Sequence, residues 1–146
     1  MTENQLFERI DYTATSLTKD EYEDCKFVNC NFHNVDLLNV VFRECTFDSC
    51  DFSLASLKNT TLNDVKFINC KLLGVQFEEC NPFLLSVDFE NCVLKLAVFY
   101  KLKLKGVIVH SGSADVGHYY SILQNDKLWR KYDDSRVGIF TQSDFE

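Results

Sequence analysis

The chain has 146 residues, of which 46% are hydrophobic and 14% aromatic, and its formal net charge is −7. This composition predicts a filled core, and a single Pro with only five Gly argues against a disordered chain. No run of about 18 apolar residues occurs, so we expect no membrane span and no membrane partner. The N-terminus lacks the basic and apolar stretches of a secretory signal, which predicts a cytoplasmic protein, and the negative charge argues against a nucleic-acid partner.

Residues 1–21 follow a five-residue period only loosely. Large apolar residues keep the period, but the positions two places before them are mostly polar, as at Gln5, Thr15 and Asp20. An outer coil of a repeat protein has one face in water and must not invite edge pairing. We therefore predict an N-terminal cap over residues 1–21.

From residue 22 to residue 105 the five-residue period dominates. A large apolar residue recurs at Phe27, Phe32, Leu37, Phe42, Phe47, Phe52, Leu57, Leu62, Phe67, Leu72 and Phe77. The position two places before it is small or β-branched and holds all seven cysteines: Cys25, Cys30, Cys45, Cys50, Cys70, Cys80 and Cys92. A two-residue insertion around Asn81-Pro82 resets the phase. The large residues then resume at Leu84, Phe89, Leu94, Phe99 and Leu104.

This period fits a short extended segment followed by a corner. Residues two apart in an extended segment face the same side, so the large and small positions point inward together. Asparagine, which favours turns, recurs two places after the large residue, at Asn29, Asn34, Asn39, Asn59 and Asn69. Like residues also recur every twenty positions, which predicts a four-sided coil with columns such as Phe27, Phe47, Phe67 and Phe89.

Residues 22–105 resemble the pentapeptide-repeat proteins, through segments such as CKFVN, CNFHN and CTFDS. The resemblance implies an all-β fold, a right-handed quadrilateral β-helix with four pentapeptides per turn. Some members of that family are similar to duplex DNA in size and charge, and bind DNA gyrase in its place.

The cysteines favour neither a disulfide framework nor a metal site. Their number is odd, and their shortest spacing is five residues, whereas a zinc site needs close pairs. They are interpreted as small buried residues, and we expect no cofactor and no metal. Thiols in one column could still approach disulfide distance in an oxidised preparation.

Residues 106–146 resemble the histidine box of the ubiquitin-specific proteases, a family of papain-like thiol hydrolases. The matching segments are VHSG at Val109–Gly112, GHYYS at Gly117–Ser121 and WRKYDDSRV at Trp129–Val137. The resemblance implies that His118 is the general base, that Asp133 orients its imidazole and that Asp134 supports the pair.

The cysteine box that supplies the nucleophile in that family, of the GNTCYMNS kind, is absent, and all seven cysteines lie at inward repeat positions. We therefore expect no catalytic residues and no enzymatic activity on this chain. Two accounts of residues 106–146 remain open: a short β-hairpin-like segment that caps the solenoid, or a disordered passenger. A natural fusion, a mis-joined gene model and a recombined sequence also remain open as its origin.

The leading hypothesis is a non-enzymatic β-solenoid scaffold with a rigid surface for a protein partner that the sequence does not identify. Its exposed coil ends favour a homodimer. One alternative is a partial ubiquitin carboxyl-terminal hydrolase module that has His118 and Asp133 but no nucleophile. A second alternative is a DNA mimic that binds DNA gyrase.

Overall fold

The five-residue repeat folds into short strands joined by corners. This arrangement is seen in a computed structural model, which describes residues 1–100, 102, 106–112, 117–125, 128–133 and 136–140. The chain divides into two units, Met1–Leu102 and Lys103–Glu146.

The described residues of the first unit form nine strands and one 3-10 helix, Phe77–Glu79. The strands are β1 (Thr2–Glu3), β2 (Leu6–Glu8), β3 (Glu21–Glu23), β4 (Lys26–Val28), β5 (Val41–Arg43), β6 (Thr46–Asp48), β7 (Thr61–Asn63), β8 (Val65–Ile68) and β9 (Val87–Glu90). Their buried residues alternate with outward ones, because successive side chains of a strand point to opposite faces.

Equivalent strands of consecutive coils pair in parallel. The first face is the sheet β1-β3-β5-β7, and the second face is the sheet β2-β4-β6-β8-β9. Isolated parallel bridges form the third face, Asp11↔Asn31↔Asp51↔Lys71↔Val93, and the fourth face, Asp36↔Ser56 and Gln76↔Val98. About twenty residues therefore complete one four-sided coil, which confirms the predicted all-β solenoid.

The predicted two-residue insertion is also confirmed. Before it the coils repeat every 20 residues, as in Phe47↔Phe67, whereas Phe67 pairs with Phe89, 22 residues later. The inward placement predicted for Leu84 is wrong, since Leu84 is 58% exposed and has a φ of 58°. The backbone N–H of Ser86 bonds the Leu62 carbonyl, and Leu85 packs partly against the core instead. The predicted inward residue Leu104 lies outside the described residues.

The corners have left-handed backbone conformations at regular intervals. The five asparagines predicted there, Asn29, Asn34, Asn39, Asn59 and Asn69, have φ values between 52° and 63°, which confirms the prediction. Asn is favoured because its short polar side chain tolerates this conformation better than most residues do. The same conformation recurs at non-asparagine corners, including Leu54 and Leu96.

Columns of stacked aromatic rings fill the interior. Phe7, Phe27, Phe47, Phe67 and Phe89 form one continuous stack, with ring centroids 4.7, 4.8, 5.2 and 5.5 Å apart in that order. Rings of neighbouring columns meet edge to face. Such aromatic pairs contribute about 0.5–1.5 kcal/mol each beyond the burial of their area.

The small inward position is a hydrogen-bond donor position as well. The Cys50 thiol lies 3.4 Å from the Phe27 carbonyl of the preceding coil, and the Cys70 thiol lies 3.3 Å from the Phe47 carbonyl. Thr60 Oγ1 donates to the Leu37 carbonyl at 2.8 Å. These contacts link consecutive coils through side chains at the small inward position.

The second unit contains the strands β10 (Gly106–Gly112), β11 (Gly117–Asn125), β12 (Leu128–Asp133) and β13 (Arg136–Phe140). They form an antiparallel sheet in the order β10-β11-β12-β13. Val109 pairs with Tyr120, so the first two strands form the predicted hairpin, and two more strands extend it.

Candidate functional site

The backbone places two of the predicted histidine-box residues at one end of the antiparallel sheet. His118 is the second residue of β11, and Asp133 is the last residue of β12. Because Ser121 pairs with Tyr132, the start of β11 and the end of β12 lie at the same end of the sheet. Asp134 lies outside the described residues. The roles of His118 as a base and of Asp133 as its orienter stay predictions.

Several thiols of the solenoid have pKa values raised above the usual range of cysteine. Burial raises the pKa of Cys45 and of Cys80 to about 12. The hydrogen bond with Cys50, together with burial, raises the pKa of Cys70 to about 12, and the hydrogen bond with Cys70 raises the pKa of Cys92 further. These groups are neutral thiols at pH 7, and the reactive form of cysteine is the thiolate.

No group of three or more His, Cys, Asp or Glu side chains among the described residues could hold a metal ion. In the same part of the chain, no helix is long and apolar enough to cross a membrane. Neither a metal centre nor a membrane-spanning helix can therefore be derived from these residues.

The outer surface of the solenoid carries an apolar patch. Four exposed aliphatic residues lie together on the third face and at the corner that follows it: Leu54, Leu73, Val93 and Leu96. We call this set the leucine corner. Leu54 is 54% exposed and Leu96 is 72% exposed, so neither contributes much to the core.

Backbone hydrogen bonds hold the leucine corner in a fixed arrangement. The Leu54 N–H donates to the Leu73 carbonyl at 2.9 Å, and the Gly74 N–H donates to the Lys95 carbonyl at 3.0 Å. The Leu72 N–H donates to the Val93 carbonyl at 2.8 Å. The patch therefore spans three consecutive coils on a rigid frame.

The family profile described as "Pentapeptide repeat region" matches residues 15–82 and 40–115. The chain belongs to the pentapeptide-repeat family. A pentapeptide repeat protein of the Arabidopsis thaliana thylakoid lumen has a similar structure, with a TM-score of 0.59 and 18% identity over 68% of each chain. QnrB1, a plasmid-mediated fluoroquinolone resistance protein, matches with a TM-score of 0.49 and 19% identity over 66% of this chain and 47% of QnrB1.

A second similarity concerns a short segment of this pentapeptide-repeat protein. It is 56% identical over 36 residues to ubiquitin carboxyl-terminal hydrolase 5 of Schizosaccharomyces pombe. The match covers 23% of this chain and 3% of the hydrolase. The chain therefore includes a segment similar to the ubiquitin-specific proteases, as the histidine-box motifs predict, but it spans only a small fraction of such an enzyme.

The repeat pattern did not predict the leucine corner, although the sequence contains a signal for it. Leu54 and Leu96 follow Phe52 and Leu94 by two places, the position at which this pentapeptide-repeat chain most often has Asn. Their φ values are 59° and 60°, so both occupy left-handed corners. A leucine at the corner position where the repeat most often has Asn therefore indicates an exposed apolar residue.

Polar contacts between coils stiffen the other corners. Asn59 Nδ2 donates to Asn39 Oδ1 at 2.7 Å, and Asn91 Nδ2 donates to Asn69 Oδ1 at 2.6 Å. Each ladder joins residues of consecutive coils. The surface that surrounds the leucine corner is thus well ordered, which reduces the entropy lost when a partner binds.

Proposed function

We propose that this chain is a non-enzymatic scaffold whose solenoid presents a rigid surface to a protein partner. The observation that carries the proposal is the leucine corner, a group of exposed aliphatic side chains that the core does not use. Contiguous exposed apolar residues on an ordered surface are typical of interaction sites.

The thiols support the non-enzymatic part of the proposal. The raised pKa values of Cys45, Cys70 and Cys80 keep these side chains protonated near neutral pH. A thiol in that state attacks carbonyl carbon poorly. A scaffold needs the same cysteines only for packing and for hydrogen bonds between coils.

The test is site-specific photo-crosslinking in the source cells. A photoreactive amino acid replaces one outward residue on each face in turn: Thr61, Thr46, Leu73 and Ser56. We expect discrete adducts with another protein from one face and weak background from the others. Adducts from no face, or equal adducts from all four, would contradict the scaffold proposal.

A second candidate function is that of a partial deubiquitinase module that meets its nucleophile on another chain. It is supported by the 56% identity to the hydrolase segment and by the placement of His118 and Asp133 at one end of the sheet. A positioned His would accept the proton of a cysteine thiol and so activate it.

A ubiquitin probe with a thiol-reactive C-terminus separates the two candidates. Under the leading proposal we expect no covalent adduct with the chain alone, and the same absence of an adduct in His118→Gln. In an extract of the source cells, an adduct with a protein bound to this chain that is lost in His118→Gln would support the second candidate. An adduct with this chain itself would show that one of its own cysteines is aligned with His118.

Binding to DNA gyrase as a DNA mimic stays a prediction. Its basis is the net charge of −7 and the family resemblance. The third face has two exposed lysines, Lys71 and Lys95, so its charge differs from that of a duplex backbone. Gyrase binding that weakens steeply with added salt is the expected sign of such mimicry.

A further inference from the structure

The corner between the third and fourth faces has an unusual composition. In three consecutive coils its left-handed position is occupied by Leu54, Gly74 and Leu96, with φ values of 59°, 70° and 60°. In the preceding coil the same position is Asn34. Leucine is disfavoured in this conformation because its Cβ crowds the following carbonyl oxygen, whereas Asn tolerates it. Both leucines are also exposed, so neither fold stability nor solubility accounts for them.

Gly74 lies between Leu54 and Leu96 in the leucine corner and has no side chain to fill the space between them. A Cβ at this position would lie 3.0 Å from Leu54 Cδ2, so the Leu54 side chain leans over the space that a larger residue would fill. Leu54 and Leu96 are two coils apart, which is roughly 10 Å. Leu73 and Val93 extend the apolar surface onto the third face. The result is an aliphatic surface as long as two turns of an α-helix.

Positive charge borders this surface. Lys71 and Lys95 are exposed on the third face next to Leu73 and Val93. Asp51, the acidic residue of that face in the preceding coil, pairs with Lys71 in the parallel ladder, so Lys71 has one acidic neighbour. The Asp51 carboxylate also accepts the backbone N–H of Ser53. The leucine corner is thus an aliphatic surface with two lysines at its border, in a chain whose net charge is −7.

We propose that the leucine corner docks an acidic amphipathic segment of a partner protein. The aliphatic side chains of that segment cover Leu54, Leu73 and Leu96, and its carboxylates face Lys71 and Lys95. This inference rests on the proposed scaffold function and adds the location of its surface and the chemistry of its partner. Apolar side chains supply the contact area in such complexes, and the charges set orientation and partner choice.

The probe is a synthetic amphipathic peptide of about 15 residues with Leu at every third or fourth position and Glu elsewhere. Binding is followed by methyl resonances of leucine-labelled protein during a peptide titration. We expect the resonances of Leu54, Leu73 and Leu96 to shift, and the affinity to fall as salt is raised. A peptide with Lys in place of every Glu is expected not to bind.

Matched variants separate docking from folding. Leu54→Asn and Leu96→Asn each place at the corner the residue type found at Asn34. Together they should weaken the affinity for the Glu peptide about tenfold or more. Leu84→Asn is the control, because Leu84 is also exposed and has a φ of 58° but lies in the insertion loop. It should leave the affinity unchanged. Thermal unfolding of all three variants should show midpoints no lower than that of the unmodified chain.

Three outcomes would overturn the proposal. The first is an absence of shifts with the Glu peptide, or shifts confined to residues outside the leucine corner. The second is a dimer in sedimentation velocity that Leu54→Asn dissociates, since a second copy would then cover the corner. The third is binding to vesicles of phosphatidylserine and phosphatidylcholine that the same variant abolishes. Crosslinks from Thr46, Ser56 or Thr61 alone would retain the scaffold function while excluding this surface.

Discussion

The two units of the chain differ in how strand pairing relates to sequence. In the solenoid the partner of a residue lies about twenty positions away, as Phe27 pairs with Phe47, so residues at the same position of successive coils stack on one another. In the sheet Gly106–Phe140 the partners run in opposite directions, as Ser111 pairs with His118 and Val107 with Ile122. A repeating register builds a uniform interior, whereas an antiparallel register brings unlike residues together.

The two kinds of pairing bring different combinations of residues together. Columns of like residues produce a rigid frame, in which the Cys50 N–H donates to the Cys70 sulfur of the next coil at 3.4 Å. The antiparallel sheet places His118 and Asp133, which are 15 positions apart in sequence, at one end. The solenoid is therefore suited to presenting a surface, whereas the predicted roles of His118 and Asp133 concern the antiparallel sheet.

The largest expected effect comes from breaking the aromatic column. Phe67 is fully buried and stacks on Phe47 and Phe89, so Phe67→Ala would leave a cavity between two coils. We expect a loss of about 3–5 kcal/mol in the free energy of unfolding. Urea denaturation measures it, with the exposed Phe83→Ala as the matched control, for which we expect a change within about 0.5 kcal/mol. Equal losses in both variants would contradict the column.

The sequence predicted the solenoid interior well, because residues of the same type recur about every twenty positions in each inward column. The insertion was predicted less well, since both Leu84 and Leu85 satisfy an apolar position there. In the structure the Ser86 N–H donates to the Leu62 carbonyl, and Leu85 rather than Leu84 packs against the core. The donor role of the small position was missed because cysteine was interpreted as a small apolar residue, although Thr60 in the same position was a visible sign of it.

The candidate site was predictable only in part. The resemblance named His118 and Asp133, and the strand register brings them to one end of the sheet. The exposure of Leu54 and Leu96 could not be predicted from the repeat. A five-residue period specifies which residues point inward, but it does not specify how exposed the corner residues are. The assignment of residues 1–21 as a cap stays a prediction.

A smaller effect is expected from removing the donor at the small position. Thr60→Val keeps the shape of a buried side chain but leaves the Leu37 carbonyl without its 2.8 Å hydrogen bond from Oγ1. A loss of about 0.5–1.5 kcal/mol in unfolding free energy should result, because the Leu37 carbonyl keeps its hydrogen bond from the Val40 N–H. The control is Thr46→Val on the outward side of β6, which should change stability by less than about 0.5 kcal/mol. If the two variants behave alike, the position requires only a small residue.

Alkaline pH should destabilise the solenoid through its thiols. In the unfolded chain a thiol ionises near its ordinary pKa of 9.0, whereas burial raises the pKa of Cys45 and of Cys80 in the folded chain to about 12. Above pH 9 the unfolded state therefore binds fewer protons than the folded state, and stability falls as pH rises towards 12. Each thiol contributes up to about 1.4 kcal/mol per pH unit. Unfolding free energies measured between pH 8 and pH 10.5 should decline less steeply in Cys45→Ala than in the unmodified chain, and equal slopes would contradict the assignment.

The smallest effect is expected at the leucine corner, and its sign is opposite. Leu54→Asn replaces an exposed leucine at a φ of 59° with the residue found at Asn34 in the preceding coil. Relief of this backbone strain should raise the free energy of unfolding by about 0.5–1 kcal/mol. Chemical denaturation of Leu54→Asn and of Leu84→Asn should show similar gains, because both leucines are exposed and have the same backbone conformation. A marked loss in Leu54→Asn alone would mean that Leu54 supports the fold through its contact over Gly74. A similar gain in both variants would show that leucine is strained at either left-handed position, inside the leucine corner or outside it.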